Sequence, residues 1–273
     1  MLNLIKMDFY RLFHSKAIKV GIIVSAVVAF VGMLLNLGVL EIIKFGISDD
    51  PASAGDMGIL FSIVSWLEGV DFSDVVFVGT NFFSLFVSCS VVASFVGAEQ
   101  SCGYVKNIAG QLRNRGMMVV SKFIVTCFVQ LTVILIYTAI SSICAVAFFS
   151  SYINSYSIGI LIEGLLLRFM LFCAINAIVL FFCTFTKSHA VAMVIGSIFG
   201  TGVTGLVYLA VSSLLGMIKI SVDVAKFMPD GINGLIDVAN MGTVAIRAII
   251  VSIIFIVGFL IGTILLFKKR DVK

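Results

Sequence analysis

The sequence predicts an all-α polytopic membrane protein, a bundle of six transmembrane helices led by an amphipathic N-terminal helix. Three observations predict it. First, 61% of the 273 residues are hydrophobic and only 12% are charged, whereas an ordinary soluble domain carries about 25% charged residues. A water-soluble globule of this size could not hide that much apolar surface. Second, Asp, Glu, Lys and Arg are absent from the runs 20–40, 75–98, 123–162, 169–186, 190–218 and 248–267, and a helix crossing a ~30 Å hydrocarbon core needs about 20 such residues. Third, the charge divides by side. Segments 1–19, 99–122, 187–189 and 268–273 hold thirteen basic and three acidic residues, net +10, and the remainder holds five basic and eleven acidic, net −6. The runs are continuous rather than alternating, which excludes a strand barrel, and the scarcity of charge excludes a disordered or nucleic-acid-binding chain.

The elements follow in order. In residues 1–16, Leu2, Ile5, Phe9, Leu12 and Phe13 fall within a 100° arc of a helix, with Asn3, Asp8, Arg11, His14 and Ser15 opposite. Such a stripe suits a helix in the cytoplasmic headgroup layer, or alternatively one packed on the bundle. The spans are expected at 17–40, 75–98, 122–149, 160–185, 190–215 and 244–267. The run 123–162 is too long for one crossing, and Ser150, Ser151, Asn154, Ser155 and Ser157 end its apolar character. The first run exceeds a signal-peptide core of ~7–15 residues, so it is expected to be retained as a span. By the excess of Lys and Arg, both termini face the cytoplasm. Pro51 and Pro229 then fall in external segments, leaving every expected span free of proline. Residues 57–67 and 216–242 are expected to form external helices on or in the outer leaflet, the first ending on Trp66. Cys89, Cys102, Cys127, Cys144, Cys173 and Cys183 show no C-x-x-C spacing and no external pair, so they read as small apolar filler rather than as a disulfide or zinc framework.

The segment 99–116 carries a second amphipathic pattern, with Tyr104, Val105, Ile108 and Leu112 on one face and Lys106 and Arg113 turned away. Such a face either inserts into a groove on a partner or packs under its own bundle. The succession of amphipathic helix, span, external loop and span leads into Glu99-x-x-x-Gly103-x-x-Lys106-Asn107, an Arg113-x-Arg115 turn and Lys122. It resembles the type-2 ABC exporter permeases. In size and style the chain is most similar to small permeases of peptide-antibiotic immunity and of amphipathic peptide toxin (phenol-soluble modulin-like) export. The pattern departs from the family at Tyr104, where threonine is common, and at Gln100 and Ser101, where a second acidic residue often stands. The resemblance implies that residues 1–16 form an elbow helix. It implies that Glu99, Gly103, Tyr104, Val105, Lys106, Ile108 and Leu112 form the coupling segment docking on an ABC ATPase subunit, present in two copies. It also implies a homodimer in which spans one and five meet, a membrane-embedded assembly, and an amphipathic peptide substrate. ATP and magnesium would belong to the ATPase, and no cofactor to this chain.

In span five, Gly196, Gly200 and Thr204 repeat at four residues, as do Ser197, Thr201 and Gly205. Small residues at that spacing allow close helix approach, either within the chain or across the dimer. Polar residues inside spans need a partner or a function. Glu163 and Arg168 are expected near the outer end of span four, as an ion pair or as substrate contacts. Asn81, Gln130 and Asn176 are deeper candidates for lining a pathway or for interhelical hydrogen bonds. No H-E-x-x-H, G-x-S-x-G or G-x-x-x-x-G-K-[ST] occurs, so the chain is not expected to be an enzyme or to hold nucleotide. The alternatives are an ion-coupled secondary transporter or channel and, third, an intramembrane enzyme.

Overall fold

The computed structural model describes residues 2–49, 70–80, 82–101, 116–150, 153–186, 188–217, 223–236, 238 and 241–269. The helices are α1 (Leu2–His14), α2 (Lys16–Asp49), α3 (Phe72–Thr80), α4 (Phe82–Ser101), α5 (Gly116–Phe148), α6 (Ile158–Thr186), α7 (His189–Gly200), α8 (Thr204–Met217), α9 (Pro229–Asn233) and α10 (Met241–Lys269). A 3-10 turn covers Val224–Phe227, and two short strands, β1 (Val70–Asp71) and β2 (Ile153–Ser155), pair in parallel.

Among the described residues four helices are long and apolar enough to cross a membrane: Lys16–Asn36, Gly116–Phe148, Ile158–Thr186 and Met241–Phe267. The pair Ala190–Gly200 and Thr204–Met217 makes a fifth if counted as one span, bent by 69°. The chain is thus an all-α multi-pass membrane protein apart from its two-stranded ribbon. Two expected spans differ from single straight helices. The run 75–98 is divided between α3 and α4, leaving a shorter apolar stretch, Ser84–Ala98. The run 190–215 breaks after Gly200, where Gly202 takes φ 73°, a left-handed conformation that glycine adopts without the cost a Cβ imposes. The span expected at 122–149 starts earlier, at Gly116.

At ~1.5 Å per residue, the 33 residues of α5 extend about 50 Å, so its ends define two distant levels of the bundle. At its start lies α1, where Phe9 and Phe13 meet Phe128 edge-on at 5.1 and 5.9 Å. Just beyond its end lie the ribbon and Asp71. Two apolar cores stack along this axis. One joins Leu12, Val91, Val125, Val129, Phe172 and Leu180, and the other joins Phe77, Cys144, Phe149, Leu171, Ile232 and Val251. Outside them α10 exposes Ile246, Ile250, Ile254 and Ile261, and α8 exposes Leu206, Leu209 and Leu214. In water such faces would be untenable; in lipid they are ordinary.

Candidate functional site

Gln130 and Asn176 lie on different helices with an apolar run around each, yet the fold brings them together. Both are fully closed to solvent. The Asn176 Nδ2 donates to Gln130 Oε1 at 3.2 Å, and the Ser88 hydroxyl donates to the same oxygen. The Cys89 thiol donates to Asn176 Oδ1 at 4.0 Å. The helices α4, α5 and α6 therefore converge on one polar cluster inside the bundle. Burying such groups in an apolar medium without partners costs several kcal/mol each, so their mutual bonding explains why they face inward. Sequence reading singled out Gln130 and Asn176 but missed Ser88, because nothing in a serine-rich helix distinguishes the one hydroxyl that points across the bundle.

Arg168 lies elsewhere, toward the ribbon end of α6, and departs from expectation. Glu163 is exposed, while Arg168 is 1% exposed, so the two do not form the expected ion pair. Arg168 NH1 donates to the Phe77 carbonyl at 2.8 Å and NH2 to the Ile236 carbonyl at 3.4 Å. Its guanidinium stacks over the Phe77 ring at 4.4 Å and feels the Asp74 carboxylate. Asp74 in turn accepts the Val238 N–H at 2.9 Å. Arg168 stands five positions after Glu163 on α6, more than the three or four that put two side chains on one face. The arginine thus staples α3, α6 and the segment before α10 together, rather than snorkelling toward water.

Asp71 is a second staple at that end. Its carboxylate accepts the Ser73 N–H at 3.0 Å, the Ser155 hydroxyl at 2.9 Å, and the Ser157 hydroxyl and N–H at 2.6 and 3.3 Å. Burial raises its pKa, but the hydrogen bonds led by that of the Ser157 hydroxyl outweigh it and hold the carboxyl at about 2. A third carboxylate, Asp230, accepts the hydroxyls of Thr204 and of Tyr208, the latter at 2.7 Å, tying the break before α8 to α9.

The small-residue run of the fifth span divides into two registers. A Cβ on Gly196 would lie 2.6 Å from Cys89 Cβ, and one on Gly200 would run into the Phe86 backbone. Thr204 is spent on Asp230. That register is consumed by packing inside the chain. In the other register Thr201 is exposed and Ser197 and Gly205 are half-buried.

At the opposite level α1 combines both readings of its amphipathicity. Leu12 is fully buried, and Tyr10 and Phe13 are exposed. Asp8, expected on the water side, is 2% exposed and accepts the Ser121 hydroxyl at 2.6 Å, with the Lys122 ammonium attracted to it. The apolar arc is thus shared between the bundle, at Phe9 and Leu12, and the exposed side, at Phe13, while Asp8 is drawn inward by a polar contact that periodicity does not reveal.

Of the coupling residues, Glu99 lies in the last turn of α4, with its side chain outside the described residues. Gly103, Tyr104, Val105, Lys106, Ile108 and Leu112 lie outside them as well, as do Asn81 and the expected external helix at 57–67. Among the described residues no group of three His, Cys, Asp or Glu side chains is placed to hold a metal ion. No protein-family model, no curated protein and no solved structure matches this chain.

Proposed function

We propose that the chain is the transmembrane permease subunit of an ATP-driven ABC exporter, moving amphipathic or antimicrobial peptides for toxin export or self-immunity. The observation that carries a transport reading is the polar cluster of Ser88, Gln130 and Asn176, enclosed where three helices converge in a lipid-facing bundle. Polar residues kept inside a bundle suit a path for a cargo with a polar face. The ABC assignment rests on the sequence succession from α1 through Glu99 to Lys122. In this reading α4 supplies the sixth crossing, α1 is the elbow helix, and both termini face the cytoplasm of a bacterial cell membrane. Two ATPase subunits bind ATP and magnesium, and their closure pushes on residues 99–116 of each copy in a homodimer. The register of exposed Thr201 and half-buried Ser197 and Gly205 is the part of span five left for that dimer contact.

The test is co-purification with a Walker-A ATPase encoded beside this chain, followed by export assays. Glu99→Arg and Leu112→Asp are expected to leave ATP hydrolysis running while peptide export falls at least tenfold. Full coupling in both variants rules out the coupling segment. One observation favours a second reading, an ion-coupled transporter: the break at 201–203 gives a discontinuous helix, a feature of such proteins. Solute uptake driven by an ion gradient, in liposomes holding this chain alone, would establish that reading instead.

A further inference from the structure

Helix α2 presents two unlike faces. Ile18, Gly21, Ser25, Ala29 and Met33 are buried, and a Cβ on Gly21 would collide with Val91 of α4. On the opposite face Val20, Ile23, Val27, Phe30 and Leu34 are all exposed, within a ~80° arc at 100° per residue. Lys16 falls inside that arc and Lys19 at its edge, so two lysines stand at the head of an apolar stripe. Both are exposed, and neither has a hydrogen-bond or ion-pair partner among the described residues. From Val20 to Leu34 the stripe runs about 21 Å at ~1.5 Å per residue, enough to cover an acyl chain filling one half of a ~30 Å hydrocarbon core.

Charge on this corner is one-sided. The first forty residues contain a single acidic residue, Asp8. It is turned inward, where it accepts the Ser121 hydroxyl at 2.6 Å. The outward surface of α1 and of the first turn of α2 therefore shows Lys6, Lys16 and Lys19 with no exposed carboxylate from residues 1–40. Tyr10, one helical turn after Lys6, is exposed as well, and tyrosine and lysine together favour the level of the lipid headgroups. Two copies of this chain meeting on the stripe would bring their lysines together, and residues 188–217 of span five hold no Asp or Glu to offset them.

We propose that the corner between α1 and α2 binds an anionic phospholipid, its phosphate held by Lys16 and Lys19 and one acyl chain laid along Val20–Leu34. The long lysine stems lie on the apolar stripe while their ammonium groups stay at the water boundary, and each lysine near an anionic headgroup adds to the attraction. This site belongs to the resting bundle and does not depend on what is transported.

Photolabelling of the intact protein in phosphatidylcholine nanodiscs tests it, with a diazirine on the acyl chain of added phosphatidylglycerol. Residues 20–34 are expected to be labelled at least about tenfold more than by phosphatidylcholine carrying the same diazirine. Equal labelling by the two lipids overturns the proposal without any variant. Lys16→Gln combined with Lys19→Gln, both at exposed positions, is expected to abolish the preference, and a preference that survives also overturns it. Inorganic phosphate, at the ionic strength of a chloride control, is expected to leave the labelling unchanged. Loss of labelling with phosphate alone would assign the lysines to free anions, and a cross-link from α2 to a second copy in place of lipid would assign the stripe to a dimer. Either result overturns the lipid site.

Discussion

Arg168 shows how a single charge can be recognised without its partner being recognised. An arginine within an apolar run announces itself, and Glu163 is the carboxylate nearest in sequence. The groups that satisfy it, the Phe77 and Ile236 carbonyls and the Asp74 carboxylate, lie in other helices and segments. Backbone carbonyls leave no signature in a sequence at all. Arg168→Leu is expected to destabilise the bundle by about 3 kcal/mol or more, because it strips two carbonyls of their donor and leaves Asp74 without its neighbouring charge. Glu163→Gln, at an exposed position, is expected to stay within about 0.5 kcal/mol of the parent. Thermal unfolding of the two variants in the same detergent separates these outcomes, and equal losses would restore the pairing with Glu163. The same limit explains Asp8. Its place opposite the apolar arc of α1 was legible, but Ser121, 113 residues away in the chain, was not.

At the scale of elements, apolar runs located the long helices well, since α2, α6 and α10 each contain an expected span and α5 covers all but the last residue of another. Breaks within runs were harder. Composition is continuous through 190–215, and only the local sequence Gly200-Thr201-Gly202 hints that the helix turns. The small-residue period was legible too, but it treats Gly196 and Ser197 alike. Packing distinguishes them, because Gly196 lies against Cys89 of α4 while Ser197 faces outward in part. Gly196→Leu is accordingly expected to cost about 1–3 kcal/mol by overpacking α7 against α4. Thr201→Leu, at an exposed site, is expected to leave the fold intact and, in the proposed homodimer, to change association. Unfolding temperature reads the first effect and chemical cross-linking in membranes the second. A Gly196→Leu protein as stable as the parent would mean that α7 and α4 are not in close contact.

For the whole molecule, the balance of charge against apolar length was enough to read a helical membrane protein, and the arrangement of its ends was not. The ribbon pairs Val70 with Ile153 and Asp71 with Ser155, two- and three-residue strands too short to show a period. Its stability should follow the titration of Asp71. That carboxyl has its pKa lowered from 3.8 to about 2, so the unfolded chain takes up its proton first as the pH falls. The stabilisation is complete above about pH 4 to 5 and is lost as the pH falls through about 2. Asp71→Asn is therefore expected to be less stable than the parent at neutral pH, with the difference narrowing below about pH 4. Unfolding temperatures of both proteins across that range provide the check, and a gap that stays constant with pH would assign the ribbon's stability to something other than this charge.

The clasp at Asp71 also bears on the order of assembly. Asp71 and Ser157 are 86 residues apart, and α3, α4 and α5 lie between them. A parallel pair cannot close as a local hairpin, because its strands must be joined by a crossover, and here the crossover consists of those helices. Asp71 is made early and, beyond the local Ser73 N–H, must wait for the far end of α5 to arrive before it finds Ser155 and Ser157. The clasp closes only when the chain has come back to the same level of the bundle. Such distant pairings form slowly, so closure of this clasp is expected to follow formation of the helices between its two halves.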